Sequence, residues 1–242
     1  MNKTLKAVLS LILSLVLVCS LASAVFAEGC RTIIRDVHEA YNLVVKTDLI
    51  AIYKATLHSG GKSEDVYYVV CKGLDFTAFD PEQPRSYANA IKIGLSCENN
   101  TYVKTLTAAV KAKIPEGEKV VFLGHSMGGM VIQQAIANKE IKDKYDILYS
   151  TAIGSPYILT AGSKEGTLRR VVDRLDPVPF LSIPLLANPT IGNVSLETSF
   201  LAPLVHFRSY EKGSCWNGYD CLGVKNGGAY VELGELIYYA CA

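Results

Sequence analysis

The sequence predicts an α/β fold: a mainly parallel central sheet with helices on both faces and an antiparallel hairpin near its start. Three observations predict it. Val66-Tyr67-Tyr68-Val69-Val70-Cys71, Val120-Val121-Phe122-Leu123 and residues 147–153 are apolar, β-branched or aromatic runs with no helical period, as in strands buried on both faces. Helical periodicity falls between them, and a helix that carries the chain from one strand to the next makes the two strands parallel. Ser59-Gly60-Gly61-Lys62 separates two strand-like runs by a glycine pair, a hairpin signal.

Residues 1–27 precede this fold. Lys3 and Lys6 stand before an apolar core at 7–18, and small residues then lead to Val25-Phe26-Ala27. That is the pattern of a secretory signal peptide, with cleavage expected after Ala27 and Ala22-Ser23-Ala24 as a second candidate site. Residues 28–242 are of ordinary size for a single domain with one core. No other run approaches the length of a membrane span, so no transmembrane segment is expected after processing. A net charge of +1 points to neither nucleic acid nor an acidic surface as a partner.

Cys30, Cys71, Cys97, Cys215, Cys221 and Cys241 remain after processing. An even number in an exported chain implies disulfides, with buried free thiols as the alternative. The pair Cys215 with Cys221 closes a short Gly-containing loop at the least entropic cost. The chain has no Cys-x-x-Cys and its 4 histidines are scattered, so no metal site is expected.

In order along the chain, Ile33, Ile34, Val37, Tyr41, Val44 and Val45 follow helical spacing and predict an N-terminal helix over 33–45. Alternation through Ala51, Tyr53, Ala55 and Leu57 predicts a strand, and 66–71 its hairpin partner. Residues 76–100 form a long connection, the kind that serves as a lid or binding loop. Val103, Leu106, Val110 and Ile114 share one face of a crossover helix that Pro115 stops. Strands follow at 120–123, 147–153 and 168–175. Phe180, Leu181, Ile183, Leu185 and Leu186 suit the wall of an acyl pocket or a core segment equally. Leu233, Ile237 and Cys241 are at helical spacing and predict a closing helix over 230–241.

Gly124-His125-Ser126-Met127-Gly128-Gly129 sits between the strand at 120–123 and a helical stretch, which places Ser126 on a sharp strand-to-helix turn. A serine hydroxyl attacks only when an imidazole takes its proton, and the imidazole needs an acid to fix its tautomer. His206 is the only histidine after Ser126; His125 is adjacent on the wrong side of the turn, and His38 and His58 come too early. Asp176 lies just past the strand ending at 175, in a loop stiffened by Pro177 and Pro179, and Asp173 within that strand is the alternative acid. Asp143 and Asp146 fall at the opposite sheet edge. The backbone N–H of Met127, and that of Leu74 in the loop after 66–71, are the candidate oxyanion donors. The choice of Leu74 rests on position, and an ordinary strand exit reads the same.

Tyr68-Val69-Val70-Cys71-Lys72-Gly73-Leu74, the serine block, Ile153-Gly154-Ser155-Pro156, Asp176-Pro177-Val178-Pro179, and His206 with Tyr210 together resemble the successive blocks of the class 3 (fungal-type) lipases. The resemblance covers residues 66–210. It implies an α/β-hydrolase fold, a Ser-His-Asp triad and hydrolysis of acylglycerol or related esters without a cofactor. Two departures stand out. That family usually has Arg-Gly followed by Thr or Ser where this chain has Lys72-Gly73-Leu74, and the interval from Asp176 to His206 is short. The expectation is therefore a secreted lipase or carboxylesterase acting on an ester or lipid substrate. A phospholipase or thioesterase with the same triad, or a catalytically silent lipid-binding relative, is the alternative.

Overall fold

The computed structural model describes residues 32–75, 80–95, 97–173, 176–181, 191–193 (backbone), 206, 209–211, 216 and 218–241. The expected leader at 1–27, most of the apolar segment after Leu181, and Cys30 and Cys215 lie outside the described residues. One compact unit runs from Ile33 to Ala242.

Strands β2 (Ile50–Ser59) and β3 (Lys62–Cys71) pair along their full length, from Ile50 opposite Cys71 to Ser59 opposite Lys62. Gly60 and Gly61 turn the hairpin at φ 60° and 76°, a conformation that strains any side chain. From β3 the sheet continues in parallel through β4 (Lys119–His125), β5 (Asp146–Ile153), β6 (Thr167–Asp173) and β7 (Ile191–Asn193). On the other side of β2 lie β8 (Tyr230–Ala240) and β1 (Thr32–Ile34), so the spatial order is β1-β8-β2-β3-β4-β5-β6-β7. This is the α/β-hydrolase architecture that the sequence predicts.

The unbroken apolar runs are explained by burial on both faces. Val69, Cys71, Val120 and Phe122 face a core made with α2 (Tyr87–Gly94), α3 (Thr101–Lys113) and α4 (Met127–Ala135). Their neighbours Tyr68, Val70, Val121 and Leu123 face a second core made with α1 (Val37–Lys46), Tyr210 and Trp216. A side chain alternates faces at every residue, so both sets must be apolar. A short helix, α5 (Lys139–Lys142), completes the described helices.

Three expectations are corrected. The N-terminal helix begins at Val37, not at 33: Asp36 caps it by accepting from the Glu39 N–H at 2.8 Å, and the β-branched pair Ile33-Ile34 goes to β1. Residues 230–241 form no helix; β8 pairs antiparallel with β2. Its alternation is broken where Leu233 pairs with Ala55 but Leu236 with Tyr53, and these bulges shift the apolar phase so that a period of two mimics one near 3.6. Gly234 marks the irregularity, since a Cβ there would stand 3.0 Å from the Lys54 carbonyl oxygen. Finally, Cys71, Cys97, Cys221 and Cys241 are free thiols, which removes the pair Cys215 with Cys221. Cys71 and Cys221 are buried in the two cores and behave as small apolar residues, with burial pushing both thiols well above their usual range.

Candidate active site

The site is built on the turn between β4 and α4. Ser126 adopts φ 53°, ψ −122°, one of two non-glycine residues with positive φ among those described. Such a backbone costs about 1–3 kcal/mol and persists only where its surroundings impose it. Here the Ser126 N–H is held by the Ile153 carbonyl at 2.9 Å, and the turn is closed by glycine contacts. A Cβ on Gly124 would lie 2.5 Å from the Gly128 carbonyl oxygen, and one on Gly128 would lie 2.2 Å from that of Cys71. Both glycines are required by backbone-to-backbone approach.

Asp176 follows the carboxyl end of β6, with its N–H on the Asp173 carbonyl at 3.1 Å and its Oδ1 accepting from the Val178 N–H at 2.9 Å. Its Oδ2 lies 2.7 Å from His206 Nδ1, and His206 Nε2 lies 3.0 Å from Ser126 Oγ. The imidazole and the carboxylate are buried, while Ser126 is partly open. The structure thus brings together Ser126, His206 and Asp176, and not Asp173, whose backbone N–H donates to the Tyr210 hydroxyl.

Two aromatic neighbours complete the surroundings of the triad. Tyr210 donates its hydroxyl to Asp176 Oδ2 at 2.7 Å and stacks on Trp216 at 5.4 Å. His125 stacks on His206 with ring centroids 5.0 Å apart and meets Tyr41 edge-on. Burial first, and the nearby His206 second, hold its imidazole well below the ordinary histidine range, so at neutral pH it is an uncharged neighbour of the His206 ring. The signal available for Tyr210 was its place one helical turn after His206.

Ser126 and His206 open into a cavity of about 450 Å³, to which Leu74 and Met127 also belong. Met127, Met130 and Ile158 are buried at its base. At the mouth, Ile91, Leu95 and Leu181 are 64%, 68% and 69% exposed. The long connection at 76–100 therefore contributes a short helix, α2, to this rim. The lining at Pro156, Ile158 and Val178 is held by two buried polar side chains nearby. Gln133 bonds the Pro156 carbonyl and the Ile158 N–H, and Arg170 bonds the carbonyls of Ser155 and Pro179. Burial brings the Arg170 guanidinium down to about 10.

Met127 opens α4, where the helix dipole and free N–H groups favour negative charge. Among the described residues, no backbone acceptor takes the N–H of Met127 or of Leu74. Among the same residues, no group of three or more His, Cys, Asp or Glu is placed to hold a metal ion.

The model of the PGAP1-like alpha/beta domain family matches residues 30–199. The chain belongs to this family. It is a family of α/β-hydrolase type, so the fold and the general class, a hydrolase, agree with the geometry. The match spans Ser126 and Asp176 and ends before His206. Of the expected likeness to the class 3 lipases, this match bears out the α/β-hydrolase type and not that family. No curated protein and no solved structure matches the chain.

Proposed function

We propose that this protein is an exported serine hydrolase of lipid-like carboxylic esters, acting through Ser126, His206 and Asp176. The observation that carries the reading is the continuous hydrogen-bond chain from Ser126 Oγ through His206 to Asp176, opening into an apolar cavity. His206 Nε2 takes the Ser126 proton as Oγ attacks the ester carbonyl carbon. The tetrahedral oxygen so formed is negatively charged and is held by the N–H groups of Met127 and Leu74. His206 then gives the proton to the leaving alcohol, leaving an acyl-Ser126. Water, deprotonated by His206, attacks the acyl carbon, and His206 returns that proton to Ser126 Oγ as the acyl–oxygen bond breaks and the acid leaves.

An apolar cavity leaves a charged acyl group without partners, so an aliphatic acyl chain is the substrate part that fits. The exposed Ile91, Leu95 and Leu181 around its mouth suit approach to a lipid–water interface. Export rests on the leader-like residues 1–27.

The test is hydrolysis of p-nitrophenyl esters from acetate to palmitate, with a phospholipid and an acyl thioester beside them, for wild type and Ser126→Ala. Activity on medium or long acyl esters that is lost in S126A supports the proposal. Equal rates for the two proteins contradict it, and preference for the phospholipid or thioester replaces the substrate class.

A further inference from the structure

The loop that carries the Leu74 N–H has no regular structure from residue 72 to 75, yet it lies directly against the nucleophile turn. A Cβ on Gly73 would stand 3.0 Å from Ser126 Cβ and 3.1 Å from the His125 carbonyl oxygen. A backbone donor this close to the reacting atoms must be aimed, and the loop's own sequence supplies no hydroxyl to help. Its direction is set by what ties it down on either side.

Before Leu74, the Lys72 N–H donates to the Leu49 carbonyl at 3.0 Å, and the buried Tyr102 hydroxyl lies 2.8 Å from both the Lys72 and the Leu49 carbonyl oxygens. After Leu74, the tether is ionic. Asp75 Oδ2 lies 3.4 Å from Arg85 Nη2, and the same nitrogen lies 3.0 Å from Asp48 Oδ1. Arg85 Nη1 also donates to the Asp48 backbone carbonyl. The guanidinium side chain is only 7% exposed. A buried cation is costly unless carboxylates and carbonyls surround it, and a planar fork can hold two such partners in fixed directions where an ammonium cannot. Both sides of Leu74 are thereby fastened to the Asp48-Leu49 corner that begins β2.

We propose that Arg85 is a positioning residue of the oxyanion-binding loop: by bridging Asp75 to Asp48 it sets the direction of the Leu74 N–H. This rests on the ester-hydrolase reading above and adds a residue remote from the triad. Arg85 touches no reacting atom. Its effect passes through Asp75, and a donor displaced by about 1 Å costs on the order of a hundredfold in rate.

The experiment compares wild type, Arg85→Lys and Asp75→Asn on one short and one long p-nitrophenyl ester, with inhibition by an alkylboronic acid, whose tetrahedral adduct presents an oxygen where the oxyanion forms. Expected for both variants is a kcat lower by about tenfold to a hundredfold at both acyl lengths, KM within about twofold, and a boronate inhibition constant raised in parallel with the loss of kcat/KM. D75N keeps the Arg85–Asp48 pair, so it decides the matter if R85K does not fold. Wild-type kcat in a folded D75N, or a loss confined to KM or to the long ester, overturns the proposal; the last result would instead make Arg85 a support of the α2 wall. A wild type inactive on every ester removes the hydrolase reading itself, and the proposal with it.

Discussion

Tyr210 donates its hydroxyl to the same oxygen of Asp176, Oδ2, that holds the His206 imidazole, each at 2.7 Å. The hydroxyl also accepts from the Asp173 N–H at 3.1 Å, so one side chain joins the end of β6 to the acid that follows it. Burial first, and the adjacent carboxylate second, push this phenol well above its usual range, so it is a donor at neutral pH. Tyr210→Phe should keep the stack on Trp216 but remove the hydroxyl that bridges the Asp173 N–H and Asp176 Oδ2. The expected cost is about 1–3 kcal/mol of stability with a several-fold lower kcat, read by urea unfolding and ester kinetics. Unchanged stability and kcat would make the hydroxyl incidental.

Asp176→Asn should lower kcat by about three to four orders of magnitude while leaving the fold intact, because an amide in its place favours the wrong imidazole tautomer. Asp173→Asn should retain most of the activity, since that side chain does not hold His206. Steady-state kinetics of the two purified variants checks both, and the reverse ranking would move the acid to Asp173.

Gly128→Ala should be far more harmful than Gly60→Ala. The first forces a Cβ to within 2.2 Å of the Cys71 carbonyl and must spread the β3–α4 contact. The second meets nothing within 4 Å and costs only its positive φ, about 1–2 kcal/mol. Thermal melts should therefore show a moderate shift for G60A with full specific activity, and loss of activity or of soluble protein for G128A.

His125 gives stability a pH dependence. Its folded value is depressed, so below about 6.5 the unfolded chain binds a proton that the folded chain refuses. Stability is lost as pH falls through that ordinary histidine value, with a limiting slope of about 1.4 kcal/mol per pH unit for one proton. His125→Gln should flatten the difference in urea midpoint between pH 7 and pH 5. An unchanged slope would show that other groups carry the acid sensitivity.

The parts of the fold that could be read from the sequence are those where one physical cause dominates. The strands around Val69 and Phe122 declare themselves because both faces are buried, and the turn at Ser126 because only glycine allows Gly124 and Gly128 to meet backbone so closely. Strand β8 was hidden because its bulges near Gly234 shift the alternation that identifies a strand. Strands β1 and β7 are three residues each, too short for any period to register. At the site, the order Ser126, Asp176, His206 was legible as a spacing rule. Arg85 was not, because its meaning lies in Asp48, 37 residues away, and in a loop brought beside it by the sheet.

The most direct test of the central claim is covalent. An alkyl fluorophosphonate should add once to the wild-type protein with loss of fluoride, at Ser126 by peptide mass mapping, and far more slowly to His206→Ala. Ser126→Ala should take up no label. Labelling of S126A at the wild-type rate, or an adduct mapped to another residue, would contradict the assignment of Ser126 as an activated nucleophile.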